Sequence, residues 1–323
     1  MLSKRSRWFP WPEGALGVQP VWHPSGSLIR VQLQPDRQPR ICLPQEAQGM
    51  GQRLDALLRF CLGASSLLAK RWPTGCFAVQ LHDEDPQEPC FRFDAPLQEG
   101  VLRGPLIPDP YCLMSQGYGA LRQAFSQRPL PPWHERLPIV FWRGSSTGSK
   151  GITPATLPAN PRYRLCRQSL RWPALVDARF TGLVQCADPA SALQVRQQLE
   201  QEGLWSGRVE PPVAALHRWL IEIDGNVNSW GLLWKLLSGS CVLRVASSRR
   251  QWYHHRLRPW VHVVPVAADL ADLPERLDWC QSNPQACARI AAAGASLAQQ
   301  VVADLEQDLL AATARYAQGW MNP

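Results

Sequence analysis

At 323 residues the chain is too long for one ordinary core and suits two α/β domains of roughly 100–200 residues each, an arrangement that implies a cleft. Hydrophobic residues at 45% and charged residues at 19% exclude a disordered chain, and no apolar run approaches the roughly 20 residues needed to span a bilayer. A formal charge of +8 suits an anionic partner, whether sugar nucleotide, acidic glycolipid, membrane surface or nucleic acid, without choosing among them.

Residues 1 to about 45 are rich in proline, tryptophan and glycine and read as an irregular cap with one alternating run, LIRVQLQ at 28–34, that predicts a strand. Lys4, Arg5 and Arg7 stand beside Trp8, Phe9 and Trp11, which suits either contact with a membrane surface or a solvated terminus. The segment lacks an apolar signal-peptide core, so the expectation is a cytoplasmic protein, at most peripheral at the inner membrane face. Leu54, Leu57, Leu58, Leu62, Leu67 and Leu68 recur at helical spacing between Met50 and Lys70. FAVQLHD at 77–83 predicts a strand ending in an acidic turn, and residues 99–116 read as a proline-punctuated loop before a short helix through Leu121 to Phe125.

QRPLPPWHERLP at 127–138 is too proline-rich for a core of its own and places a domain boundary between residues 135 and 136. Beyond it, strands are predicted at 138–142, 174–180, 218–223, 240–245 and 260–266, with helices at 190–202 and 229–238. Such alternation predicts a largely parallel sheet covered on both faces. Asp269 is a candidate cap, a helix opens at Asn283-Pro284, and a periodic segment interrupted by Gly294 runs to Tyr316. The expected division is thus 1–135, 136–300 and a C-terminal helix, 301–323, packed back on the first domain. The ten cysteines stand singly, without a CxxC pair, which points to buried free thiols and to neither a zinc site nor a redox motif.

Three constellations have the composition of a chemical site. In FWRGSSTGSK (141–150) a strand opens into a small-residue loop where Gly144 and Gly148 permit close approach of a ligand, and Ser145, Ser146 and Thr147 offer hydroxyls and amides to a diphosphate. Arg143 and Lys150 flank it as countercharges. An ordinary polar turn is the other reading. In EIDGNVNSWGLLWKLLSGS (222–240) a buried strand ends at Asp224 and a helix is predicted from Ser229, so Asp224, Asn228, Ser229 and Trp230 stand where ribose or phosphate collects, with Lys235 further along. A plain helix cap fits the same residues. In LHDEDPQ (81–87), Asp83, Glu84 or Asp85 could serve as a general base, or all three could be a solvated turn.

With these residues in view, the sequence resembles glycosyltransferase family 90, which includes Rumi-like protein O-glucosyltransferases, fungal capsule-associated xylosyltransferases and bacterial lipopolysaccharide-modifying proteins. The resemblance runs from about Phe77 to Leu297, through FAVQLHDEDPQ, LIPDPY, VFWRGSSTG, LVDARFT, IDGNVNSWGLLWKLLSGS and QWYHHRLRPWVHVVPVAADLADLPERLDW. It implies an α/β, GT-B-like fold of two facing Rossmann-like domains, a UDP-sugar donor, inversion at the transferred carbon, and no required metal or other cofactor. Asp83 is the carboxylate most similar to the family's base, and Asp85 stays a rival because an extra acid precedes Pro86. Ser146 stands where the family's loop commonly has arginine, and Gly231 where eukaryotic members have another, so Arg143 or Lys235 is the expected substitute.

The resulting expectation is an inverting glycosyltransferase that moves a sugar from UDP to a hydroxyl of a lipopolysaccharide precursor or other surface glycan. Two alternatives share the fold: a protein O-glycosyltransferase, and a non-catalytic sugar-nucleotide or glycan-binding protein, which the missing arginines motivate. A nucleic-acid partner is not expected, since the chain has no basic helix or recognised binding motif.

Overall fold

The computed structural model of the protein describes residues 9–14, 16–35, 37–83, 85–98 and 103–321, so Lys4, Arg5, Arg7, Trp8 and Glu84 lie outside the described residues. The first elements are β1 (Val21–His23), β2 (Leu28–Leu33), β3 (Arg40–Pro44), α1 (Gln52–Leu68), β4 (Gly75–Gln80), β5 (Ala95–Pro96), α2 (Pro110–Met114) and α3 (Gly119–Gln127). They are followed by β6 (Leu137–Ser145), α4 (Pro161–Arg171), β7 (Val176–Gly182), α5 (Pro189–Gln201), α6 (Pro211–Ala214), β8 (His217–Glu222), α7 (Leu232–Leu237) and β9 (Cys241–Val245). The last are β10 (Arg249–Arg250), β11 (Val264–Val266), α8 (Leu273–Ser282), α9 (Pro284–Ala303) and α10 (Leu305–Trp320). The chain divides into two compact units, one of residues 1–119, 248–254 and 301–323, the other of 120–247 and 255–300.

In the first unit the described strands form a sheet of order β1-β3-β2-β4, with β2 antiparallel to both neighbours and β1 parallel to β3. The alternation of β2 buries Ile29, Val31 and Leu33 and exposes Arg30 and Gln32, as a half-buried strand requires. The helical leucine pattern forms α1, two residues shorter at each end than expected. Phe60 of α1 meets Phe91 edge-on at 5.0 Å, and Tyr316 of α10 stacks on the same ring at 4.4 Å. The Tyr316 hydroxyl donates to the Pro89 carbonyl at 3.2 Å and accepts from the Ala78 amide at 3.3 Å, and burial pushes its pKa up to about 12. The C-terminal helix thereby joins the first unit's core, as expected. The run RICLP, within the expected irregular cap, supplies β3.

Residues 248–254 return to this unit from the far side of the sequence, and β10 pairs antiparallel with β5. Arg249 grips both oxygens of Asp94, a fully buried carboxylate, and also bonds Asp85 at 2.7 Å. Removing one member of a buried pair strands the other charge. Arg249→Met is therefore expected to cost about 3–5 kcal/mol in denaturant unfolding, whereas a loss within 0.5 kcal/mol, the usual range for exposed surface positions, would show that Asp94 does not depend on it.

The second unit is built on a five-stranded parallel sheet of order β11-β9-β8-β6-β7. Its strands overlap the predicted apolar runs, and Val140, Trp142, Ala178, Ile221, Leu243 and Val264 lie in one buried cluster. Counted from β6, the order is 2-1-3-4-5, so winding reverses between β6 and β8, the neighbours at the centre of the sheet. The structural division falls at 119/120 rather than 135/136 because residues 131–136 are fastened to this unit. The Trp133 indole donates to the Arg218 carbonyl at 3.1 Å and meets Trp219 edge-on, and Arg136 reaches the Ser238 carbonyl at 2.9 Å.

Other boundaries moved for local reasons. β11 begins at Val264, not residue 260, because Trp260 adopts a left-handed φ of 62° in a turn. Asp269 accepts from the Ala271 amide within a turn, and the helix starts only at Leu273. The long periodic segment is two helices, broken at Asp304 and not at Gly294. A Cβ at Gly294 would lie 2.8 Å from the His262 carbonyl oxygen, so this glycine permits close packing inside a continuous helix. All ten cysteines are free thiols, seven of them buried.

Candidate functional site

In doubly wound sheets, ligands collect beyond the carboxyl ends of the strands where winding reverses. Here that point lies between β6 and β8, and the loops leaving those two strands are 146–150 and 223–231. They carry the first two constellations read from the sequence, and the structure brings them together. The Gly148 amide donates to Asn226 Oδ1 at 3.1 Å, and Gly148 holds φ at +106°, a value natural only to glycine. A Cβ on Gly225 would lie 2.5 Å from Thr147 Oγ1 and 3.0 Å from an Arg162 nitrogen, so the two loops touch where Gly225 has no side chain.

Their contact is organised by the start of α4. Asn160 caps that helix, its Oδ1 accepting from the amides of Arg162 and Tyr163, while its Nδ2 donates to the Ser146 carbonyl at 2.9 Å. Two residues on, the Arg162 guanidinium donates to the carbonyls of Ser145 at 3.0 Å, Ile223 at 3.2 Å and Asp224 at 3.0 Å. One side chain thus ties the loop after β6 to the loop after β8. Arg162 is only 8% exposed and forms no ion pair among the described residues. Burial lowers its pKa from the usual arginine value, with the charges of Glu222 and Asp224 opposing, yet a guanidinium stays protonated throughout the working pH range.

The expected donor-binding residues divide between those that face this junction and those that hold it up. Ser146 is fully buried; its hydroxyl donates to the Val184 carbonyl and accepts from the Val184 amide, and its own amide donates to the Gly182 carbonyl. It fastens the loop from beneath. Gly144 is required by Trp142, whose ring would lie 2.5 Å from a Cβ there. Arg143 projects to the other face of the sheet, as strand alternation dictates, and stacks on Phe141 at 4.2 Å while its guanidinium bonds Asp177 at 2.8 Å. Lys235 is buried in an ion pair with Glu222 and donates to the Ile221 carbonyl at 2.9 Å. Neither expected substitute is therefore a free countercharge; Lys150 is an exposed cation on the first loop, and Arg162 is the buried one beneath both.

Asp224 accepts from the Ser229 amide at 3.2 Å, and Asn228 donates to Ser247 Oγ at 2.9 Å. The helix expected from Ser229 begins at Leu232, because residues 224–231 form a turn closed by the Asp224–Ser229 bond. Trp230 lies half-buried in that turn. Burial raises the Asp224 pKa, opposed by hydrogen bonds from Ser247 and the Ser229 amide. A carboxyl whose folded-state pKa is raised destabilises the fold once ionised, and the penalty disappears as pH falls through that pKa. Asp224→Asn, which keeps the acceptor oxygen, is expected to raise the melting temperature at pH 7, with the difference vanishing below about pH 4, near the ordinary aspartate value. A gain that is the same at both pH values would contradict this origin.

The third constellation lies in the first unit. Asp83 pairs with Arg53 at 2.9 Å and keeps 29% of its side chain exposed. Asp85 bonds Arg92 and Arg249, and hydrogen bonds from Arg249, helped by the charges of Arg249 and Arg92 against the effect of burial, hold its carboxyl below the usual range. A carboxylate so held is a poor proton acceptor.

The sequence model of glycosyl transferase family 90 matches residues 118–310, more than half of the chain. The chain belongs to glycosyl transferase family 90. Protein O-glucosyltransferase 2 of Danio rerio is 31% identical over 173 residues, covering 52% of this chain and 30% of that protein. Uncharacterized protein 179R of Invertebrate iridescent virus 6 is 30% identical over 176 residues, 49% of this chain and 15% of that one. The chain thus spans less than a third of the length of these relatives. Among solved structures, Anabaena Alr3699/HepE in complex with UDP-glucose aligns over 62% of this chain and 52% of that one, at 16% identity and a TM-score of 0.40. The parallel sheet of the second unit lies inside the residues that the family model matches, in keeping with the expected α/β class.

Proposed function

We propose that this family 90 member is an inverting glycosyltransferase with a UDP-sugar donor and a glycan acceptor of the lipopolysaccharide-precursor or surface-polysaccharide type. The observation that carries the reading is the junction of loops 146–150 and 223–231 at the winding reversal of the parallel sheet, where a diphosphate meets hydroxyls, turned backbone and the charge of Arg162. The acceptor class rests on the resemblance to a family that includes bacterial lipopolysaccharide-modifying proteins.

In this mechanism the acceptor oxygen attacks the anomeric carbon from the face opposite the leaving group. Its proton passes to Asp83, and the bond to the diphosphate oxygen breaks with its electron pair going to UDP. The loops of the second unit stabilise the negative charge that grows on the leaving oxygen, a contribution larger in the transition state than in the bound donor. Countercharge comes from the protein, with no resident metal or other cofactor, so a chelator is expected to leave transfer unchanged.

Calorimetry against UDP and UDP-sugars tests the donor site, and Asp83→Asn tests the base. The variant should bind UDP as the parent does and lose transfer by about 100-fold or more, in the range expected when a general base is removed. Undiminished turnover would remove Asp83 from the role. A second reading, a sugar-nucleotide-binding protein without turnover, is favoured by the Arg53–Asp83 ion pair, which occupies the proposed base. UDP binding without transfer to any glycan fraction would establish that reading instead.

A further inference from the structure

Of the cations near the two loops, Arg143 is engaged with Asp177, Lys235 with Glu222, and Lys150 is exposed on the first loop. We infer that Arg162 is the positioning residue for the donor diphosphate: through one buried guanidinium it sets the geometry of both phosphate-facing loops and supplies the positive charge beneath them. The inference rests on the donor-site reading above and adds the residue on which that site's preference for a diphosphate depends.

The geometry has three parts. First, the three bonds that the guanidinium makes among the described residues go to backbone carbonyls, two from the 223–231 side and one from the end of β6, so the side chain aligns the two loops without spending its charge on a carboxylate. Second, Gly225 lets the loop close over the guanidinium: a Cβ there would lie 3.0 Å from an Arg162 nitrogen and 2.5 Å from Thr147 Oγ1, so only glycine permits this approach. Third, the side chain is held from both ends. Asn160 fixes the backbone of its helical turn, and the guanidinium lies over the Trp142 ring at 5.6 Å. In a site shielded from water, a fixed positive charge acts on a developing anion far more strongly than it would at the surface. Lysine could supply the charge but not the planar fork that reaches three carbonyls.

The test is calorimetric binding of UDP, UMP and uridine to the full chain and to Arg162→Met, Arg162→Gln and Arg162→Lys, with melting curves for each. The parent is expected to prefer UDP to UMP. Arg162→Met and Arg162→Gln should reduce that preference about tenfold or more, as loss of a charge-assisted contribution implies, while Arg162→Lys should restore part of it. If Arg162→Met fails to fold, Arg162→Gln carries the same comparison, since its amide can still donate to one of the loop carbonyls. A merely structural role would weaken UDP, UMP and uridine alike, with no recovery in Arg162→Lys, and that result would overturn the inference. A parent that binds none of the three nucleotides would instead remove the donor-site reading itself.

Discussion

The arrangement of the second unit's site depends on how a buried guanidinium satisfies its hydrogen bonds. Arg162 has no carboxylate partner among the described residues, so its donors are met by the carbonyls of Ser145, Ile223 and Asp224. Those carbonyls belong to two separate strands' ends, and meeting them fixes the two loops in one relative position. The parallel sheet places β6 and β8 side by side, and their ladder ends at Phe141 and Leu220, short of the two loops. Asn160, Ser146 and Gly148 complete the link with bonds that bear on the same junction. Removal of charge from water is costly, and the family-matched unit accepts that cost at the point where a sugar nucleotide would dock.

Much of this fold was legible in the residues. Apolar runs such as VFW, WLIEI and CVLRV are long enough for strands, short enough to exclude helices, and separated by helical patterns, which is the signature of a parallel sheet. The two loops were legible too, because Gly, Ser, Asn and Asp cluster directly after those strands. Arg162 was not. It sits in NPRYRLCRQSLR, where four arginines look like the solvated face of a helix, and only the packing of α4 shows that one of them points inward. The available signal was Asn-Pro opening a helix soon after the loop, which fixes Arg162 in the first turn. Arg143, adjacent to the loop in sequence, was the more obvious candidate, yet period-2 alternation carries it to the opposite face of the sheet.

The first unit shows the complementary limit. Its C-terminal helix and α1 were readable from periodicity, but the return of residues 248–254 was not, since nothing local in SRRQWYH distinguishes a segment that belongs to the other unit. The pairing of Arg249 with Asp94 and Asp85 is a contact between residues more than 150 positions apart, and it ties Asp85 into the first unit. Among the described residues, Asp85 is held by two arginines and Asp83 by Arg53. Sequence spacing alone left the two equivalent.

Amide hydrogen exchange of the full chain with and without saturating UDP tests the central claim most directly. If the loops after β6 and β8 form one diphosphate site, amides of residues 144–149 and 224–231 are slowed together, by the same factor and at the same UDP concentration. Protection confined to one loop, or found only in segments outside the pair, would contradict the account.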